Sequence, residues 1–182
     1  MKILFVLLAA FVFVSAQAQH DHQNTSAPAD TTKKSVSKSA HIEIGDAHIM
    51  IHYYAPAVRG RVIWGGLVPY GEVWVTGAHR ATAWEFTNSI EINKIVIPAG
   101  KYAVFTIPGK EKWIFIMNKK WDQHLEDEYN AKEDVLRLEL VPQITTSNQE
   151  RLLYSFTEEE NNNGTLIMNW EKVKISIPFS VR

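Results

Sequence analysis

The sequence predicts an all-β fold, an antiparallel β-sandwich of the jelly-roll or immunoglobulin-like kind, with two long irregular loops. From Ile42 onward, apolar residues recur with a period of two, which is the period of a half-buried strand. The alternating segments are short and are separated by Gly, Pro and Asn turns at intervals of about ten residues, as is typical of sandwiches. Neither a βαβ alternation nor a long helical period interrupts this pattern.

The first eighteen residues have the features of a secretory signal peptide. Lys2 supplies the positive charge, and residues 3–14 form an apolar run that is too short to span a bilayer. Ala16 and Ala18 are the small residues that a signal peptidase recognises. We therefore expect cleavage near Ala18 and a periplasmic or secreted location.

A polar segment separates the signal peptide from the patterned region. Residues 19–40 are rich in His, Asp, Asn, Ser, Thr and Lys, with Val36 as the one β-branched apolar residue. Such a composition buries too little apolar surface to offset the entropy of ordering the chain. The sequence thus predicts a disordered linker over 19–40 and a single β-sandwich domain over 41–182.

Each predicted strand is recognised by alternation or by its flanking turns. In residues 48–54, Ile49, Ile51 and Tyr53 share one face, and histidines and Met50 share the other. Asn93 is the first residue of a tight Asn-Lys turn between two such segments, which predicts a β-hairpin. The full set of predicted strands is 48–54, 73–76, 82–87, 90–92, 95–97, 101–107, 112–117, 136–140, 152–156, 165–170 and 173–181.

The last predicted strand contains Pro178, which has no N–H for a sheet ladder. Its position predicts either an edge strand or a bulge. Two other segments, 56–80 and 118–134, lack clean alternation and are predicted to be long irregular loops. Loops of this kind on a rigid scaffold frequently carry function.

Composition excludes several classes of function. The net charge of −1 gives no basic field for nucleic acid. The chain has no cysteine, so it has no disulfides, thiolate metal sites or cysteine nucleophile. Beyond the signal peptide, no segment is apolar enough to predict a membrane span in the mature protein.

Aromatic and arginine side chains concentrate in the two predicted loops. Such residues line ligand clefts by stacking and hydrogen bonding, although they also pin long loops to a sandwich. A cleft of this kind would accept a small polar ligand or an envelope glycan. The candidate ligand-binding residues are Arg59, Arg61, Trp64, Tyr70, Trp74, Arg80 and Trp121.

Histidines supply a second candidate site. His52, His79 and His124, with Asp122, have the ligand types of a site for Zn or another divalent metal. Their spacing matches no compact zinc motif, and scattered histidines are more often hydrogen-bonded surface residues. The alternative function that these residues support is a metal-dependent hydrolase.

A copper site at the mature N-terminus is a further alternative. Cleavage one residue later, after Gln19, would place His22 third in the mature chain. The amino group, the intervening amides and this imidazole would then suit square-planar Cu(II). The ordinary interpretation of His20 and His22 is a solvated polar tail.

Several motifs, in order, resemble one family. The motifs lie at residues 54–74, 77–82, 98–102, 105–109 and 170–172. In this order they are similar to exported bacterial proteins, mostly from Bacteroidota, grouped as domain of unknown function 2911. The resemblance implies an exported, β-rich domain, and it supplies no reaction and no catalytic residues. The chain has Ala55 and Val75 where many members have arginine.

The sequence favours an exported periplasmic ligand-binding or accessory module of the cell envelope. The alternatives are the metal-dependent hydrolase and a structural partner in an envelope complex. No nucleophile elbow of the Gly-x-Ser-x-Gly type is present, so whether the protein is an enzyme stays open at this point.

Overall fold

A computed structural model describes residues 34–182, and the predicted signal peptide and residues 19–33 of the predicted linker lie outside the described residues. The described chain forms ten strands. In chain order they are β1 (Ser35–Ile44), β2 (Ala47–Pro56), β3 (Thr82–Phe86), β4 (Ile90–Ile92), β5 (Ile95–Ile97), β6 (Gly100–Ile107), β7 (Trp113–Asn118), β8 (Asp134–Leu140), β9 (Gln143–Glu159) and β10 (Asn163–Val181), with a 3-10 turn at Ala131–Glu133.

The strands form two antiparallel sheets that pack face to face, which confirms the predicted all-β sandwich. The larger sheet has six strands in the order β1-β2-β3-β6-β7-β8. The smaller has four strands in the order β5-β4-β10-β9. Residues from both sheets form one core between them, as expected for a sandwich.

The predicted alternation in β2 is confirmed, and it divides the strand between the core and the outer face. Ile49, Ile51 and Tyr53 are buried, whereas His48 and Met50 are exposed. Because directly paired residues of adjacent strands lie on the same face, the outward residues of β1 and β3 join those of β2. The result is an open polar surface on the outside of the six-stranded sheet.

The start of the domain differs from the prediction. Residues 35–40 were expected in the disordered linker, but they form the first half of β1. They pair with β2 without interruption, from Ser35 opposite Pro56 to Ile44 opposite Ala47. The backbone ladder to β2 therefore orders a segment whose side chains alone predict disorder.

The predicted hairpin is confirmed as β4 and β5. Asn93 and Lys94 connect the strands, with φ of 49° and 67°. Positive φ at both central residues is the conformation of a type I′ turn, which matches the twist of the flanking strands.

Two predicted strands near the end of the chain are the two arms of β10, which folds back on itself: the Val181 N–H donates to the Asn162 carbonyl at 2.9 Å, and Phe179 lies beside Gly164. The register with β9 shifts between Asn169 and Glu171 and again between Glu171 and Val173. Glu171 adopts a φ of 55° at this irregularity. The chain reverses direction at this point, so residues 165–170 and 173–181 lie side by side as the two arms of a hairpin, as the sequence predicts.

The predicted edge position of Pro178 is wrong, because β10 lies between β4 and β9. The register shifts lie earlier, at residues 169–173, where β10 reverses direction. Pairing with β9 ends at Lys174, and pairing with β4 involves Ser180 and Val181. Pro178 lies in the second arm of β10, close to Gly164 of the first arm and two residues before the pairing with β4 begins at Ser180.

A second, smaller core lies on the outer face of the six-stranded sheet. The buried side chains of Ala103, Phe105 and Ile116 point away from the sandwich core and contact residues of the two long loops. Leu125 and Tyr129 pack against this cluster. The loops therefore cover one half of the outer face and leave the half formed by β1, β2 and β3 open.

Candidate functional site

The first long loop, residues 57–81, is fixed to β6. Trp74 and Thr106 exchange both backbone hydrogen bonds, with N···O distances of 2.8 and 3.0 Å. The predicted strand at 73–76 is therefore reduced to a single bridge. Thr82, the first residue of β3, donates its backbone N–H to the Val75 carbonyl. The end of the loop therefore lies beside the Trp74 bridge.

The second long loop, residues 119–133, is held at its base by a polar cluster. The Tyr129 hydroxyl donates to the Asp134 carboxylate at 2.7 Å, and Arg137 donates to both groups at 2.8 Å. Burial, followed by the hydrogen bond to Asp134, raises the pKa of Tyr129 to about 12. The cluster places the loop beside the outer face of the sheet.

The tips of the two loops run side by side. Arg80 and His124 form a backbone bridge, Ala81 donates its N–H to Gln123 at 3.1 Å, and Leu125 donates to His79 at 3.1 Å. Gln123 is buried, and its side-chain amide donates to the backbone carbonyl of Lys120. These contacts give the loop tips a defined position over the sheet.

A cleft of about 140 Å³, called the polar cleft for its charged and hydrogen-bonding side chains, lies between these loop tips and the open half of the sheet. Four residues that were predicted for two different sites meet here: Arg80 and Trp121 from the ligand set, and His52 and Asp122 from the metal set. The larger polar and aromatic side chains on the surface of the polar cleft include His52, Tyr54, Arg80, Lys101, Trp121 and Asp122.

The charges of the polar cleft are paired. Arg80 donates to the Asp122 carboxylate in an exposed ion pair. The Lys101 ammonium lies 3.4 Å from the Glu85 carboxylate and 4.2 Å from the centroid of the Trp121 ring. The second contact is a cation–π interaction, which orients an indole that is 42 % exposed.

Sequence reasoning missed Lys101 and Tyr54 as cleft residues. Alternation in β6 indicates that Lys101 points away from the core, and alternation in β2 does the same for Tyr54. The sequence does not show that β2, β3 and β6 are neighbours, because β4 and β5 intervene in the chain and belong to the other sheet.

A second, largely apolar cleft of about 290 Å³ lies on the other side of His79. Trp74 lines it, as do Trp170 and Leu125, and Arg61 and His79 lie among its polar residues. Arg61 donates from Nε to the Val58 carbonyl at 3.1 Å and from a terminal nitrogen to the Ala57 carbonyl at 2.5 Å. The Arg61 guanidinium therefore supports its own loop.

Three other predicted ligand-binding residues do not line the polar cleft. Trp64 packs edge-on against Trp113, with ring centroids 4.7 Å apart, and its indole nitrogen is buried. Arg59 is exposed and donates its backbone N–H to Glu150 at 2.9 Å. Tyr70 is 40 % exposed on the first long loop and packs beside Gly65.

The predicted metal ligands do not converge. His52 lies in the polar cleft, whereas His79 Nε2 is 2.5 Å from the Ser35 hydroxyl and its ring contacts Tyr54 edge-on. His124 Nδ1 is 3.5 Å from the Asp127 carboxylate. Among residues 34–182, no group of three His, Asp or Glu side chains is placed to hold a metal ion. The backbones of His79 and His124 are adjacent, but each imidazole has its own partner, Ser35 for His79 and Asp127 for His124.

Within residues 34–182 there is no helix of the length and apolarity that crossing a membrane requires. Comparison with known proteins gives one match, a family profile that covers residues 34–179. No curated protein and no solved structure matches the chain. The matched region includes all ten strands and both long loops except for the last two residues of β10. The chain therefore belongs to the family described as protein of unknown function (DUF2911).

Proposed function

We propose that the protein is an exported binding module for a neutral, polyhydroxylated ligand, such as a glycan of the cell envelope. Export rests on the signal peptide predicted over residues 1–18. The observation that carries the binding proposal is the polar cleft, where two loops and two strands bring Arg80, Trp121 and Lys101 to one concave surface.

The pairing of charges favours a neutral ligand over an ion. Arg80 is neutralised by Asp122, and Lys101 by Glu85. The cleft therefore presents hydrogen-bond donors and acceptors without a net field that would attract an ion. The His52 imidazole and the Tyr54 hydroxyl add groups that both donate and accept.

The aromatic side chain in the polar cleft favours a sugar. Trp121 is 42 % exposed, although an indole of this size is ordinarily well buried. Its position is fixed by Lys101 on one side and by the ion pair of the adjacent Asp122. A fixed, accessible ring beside convergent polar groups is the arrangement of a small-molecule site.

The test is a screen of neutral mono- and oligosaccharides on a glycan array, followed by calorimetric titration of the ligands found. Trp121→Ala removes the apolar platform and is expected to weaken binding at least tenfold, which is about 1.4 kcal/mol. Tyr70→Ala is the matched control, because Tyr70 is an aromatic residue of similar exposure that does not line the polar cleft.

Unchanged affinity in the Tyr70→Ala variant would support the assignment of the site. A ligand that binds the Trp121→Ala variant as tightly as the wild type would contradict the site. Absence of binding to every neutral glycan would contradict the proposed ligand class.

A further inference from the structure

The outer face of β1 and β2 carries two histidines, His41 and His48, and an exposed methionine, Met50, outside the polar cleft. Met50 is directly opposite His41 on β1 and directly opposite Glu85 on β3. His48 lies two residues before Met50 on the same face. His41, His48 and Met50 line one open cleft of about 250 Å³, and His52 does not line it.

The backbone register fixes how close these three side chains come. Side chains directly opposite in an antiparallel pair have Cβ atoms roughly 4.5–5.5 Å apart, and diagonal neighbours lie roughly 7–8 Å apart. His41 and Met50 are directly opposite, and His41 and His48 are diagonal. His48 and Met50 are separated by two residues of strand, roughly 6.6 Å. One ion can therefore be shared by two imidazoles and a thioether.

The His48 ring is already oriented for coordination. Its Nδ1 lies 3.1 Å from the Glu43 carboxylate, and Glu43 is the residue directly opposite on β1. Metal-binding histidines ordinarily donate one ring N–H to a carboxylate, which fixes the tautomer and leaves the other nitrogen free to bind. Glu43 thus acts on His48 as an orienting residue.

We propose that His41, His48 and Met50 form a binding site for a soft monovalent cation, Cu(I) in the first place. A thioether ligand selects Cu(I) over Zn and harder divalent ions, and imidazole is compatible with copper. Within residues 34–182, no three His, Asp or Glu side chains are placed to hold a metal ion, so the two imidazoles need Met50 to complete the ligand set. The exposure of Met50, 38 %, provides access to the ion.

The first experiment measures Cu(I) affinity under reducing, anaerobic conditions by competition with bicinchoninate. His20 and His22 are both replaced by Gln in all samples, so that the tail contributes no ligands. The parent is expected to bind one Cu(I). His48→Gln and Met50→Leu are each expected to weaken binding at least tenfold.

His124→Gln is the matched control. The exposed fractions of the His48 and His124 side chains are 68 % and 66 %, and each has a carboxylate beside Nδ1. Unchanged affinity in the His124→Gln variant supports the proposal. Equal weakening by His48→Gln and His124→Gln would overturn it, because the histidines would then act non-specifically.

A second measurement detects the ligand directly, using Ag(I) as a redox-stable substitute for Cu(I). In protein labelled at the methionine methyl groups, one equivalent of Ag(I) is expected to shift the NMR resonance of Met50. Met117 and Met168 are fully buried and are expected not to move. An unmoved Met50 resonance would overturn the proposal, whatever the affinity.

Discussion

At the residue scale, exposure separates tryptophans that the sequence treats alike. Trp64 and Trp121 both lie in irregular loops and both were predicted to bind ligand. Trp64 packs among Trp74, Trp113 and Trp170 in the core, whereas Trp121 is accessible beside Lys101. The loop sequence indicates neither outcome, because Trp113 and Trp170, which enclose Trp64, and Lys101, which contacts Trp121, come from strands distant in the chain.

Buried phenols make stability depend on pH above neutrality. The pKa of Tyr129 is about 12, and burial also raises the pKa of Tyr53, Tyr102 and Tyr154. An unfolded tyrosine ionises near pH 10, so between about pH 10 and 12 the unfolded chain binds fewer protons than the folded chain. The contribution of these tyrosines to the free energy of unfolding is complete below about pH 10. It is lost as the pH rises through their pKa values in the folded protein.

We therefore expect the free energy of unfolding to fall with pH between about pH 10 and 12, and to fall less steeply in the Tyr129→Phe variant. Urea denaturation at several alkaline pH values measures this slope. Titration of tyrosinate absorbance in folded and denatured protein provides the control. Equal slopes in the variant and the wild type would contradict the assignment to Tyr129.

At the element scale, β1 shows why an ordered strand was predicted as linker. Residues 35–40 contain little apolar surface, and only Val36 and Ala40 pack against the core. Their order comes from the backbone ladder to β2, which composition does not reveal. In contrast, β2 and the β4–β5 hairpin were predicted correctly, because alternation and turn chemistry are local signals.

Removal of the first half of β1 tests its contribution. A chain that starts at His41 loses the ladder from Ser35 to Ala40 and the contact of Ser35 with His79. With roughly 1 kcal/mol for each lost backbone hydrogen bond, the free energy of unfolding is expected to fall by at least about 3 kcal/mol relative to a chain that starts at Lys34. Chemical denaturation of the two chains measures the difference, and equal stability would mean that this half of β1 contributes nothing.

At the scale of the whole molecule, one indole joins the two sheets. Trp84 in β3 is completely buried and contacts Phe86 and Phe115 of the six-stranded sheet. It also contacts Phe156 of β9 and Phe179 of β10 in the smaller sheet. The class of fold was predictable from such alternating aromatic residues, whereas the strand order was not.

Trp84→Ala would leave a cavity between the sheets, and we expect a loss of about 3–5 kcal/mol in the free energy of unfolding. Trp121→Ala, an exposed change, is expected to stay within about 0.5 kcal/mol. Urea denaturation of both variants checks the contrast. A similar loss in both would show that Trp121 supports the fold and would weaken its assignment to ligand binding.

The position of β10 has a consequence for the timing of folding. This last strand lies inside the four-stranded sheet and supplies Val173, Ile175, Ile177 and Phe179 to the sandwich core. A ribosome-bound or partly translocated chain that lacks β10 is missing these core residues, so we expect its sandwich core to close only once β10 is available. Export through the signal peptide predicted over residues 1–18 would require a chain that has not yet folded, and a core that is completed by β10 would suit this requirement.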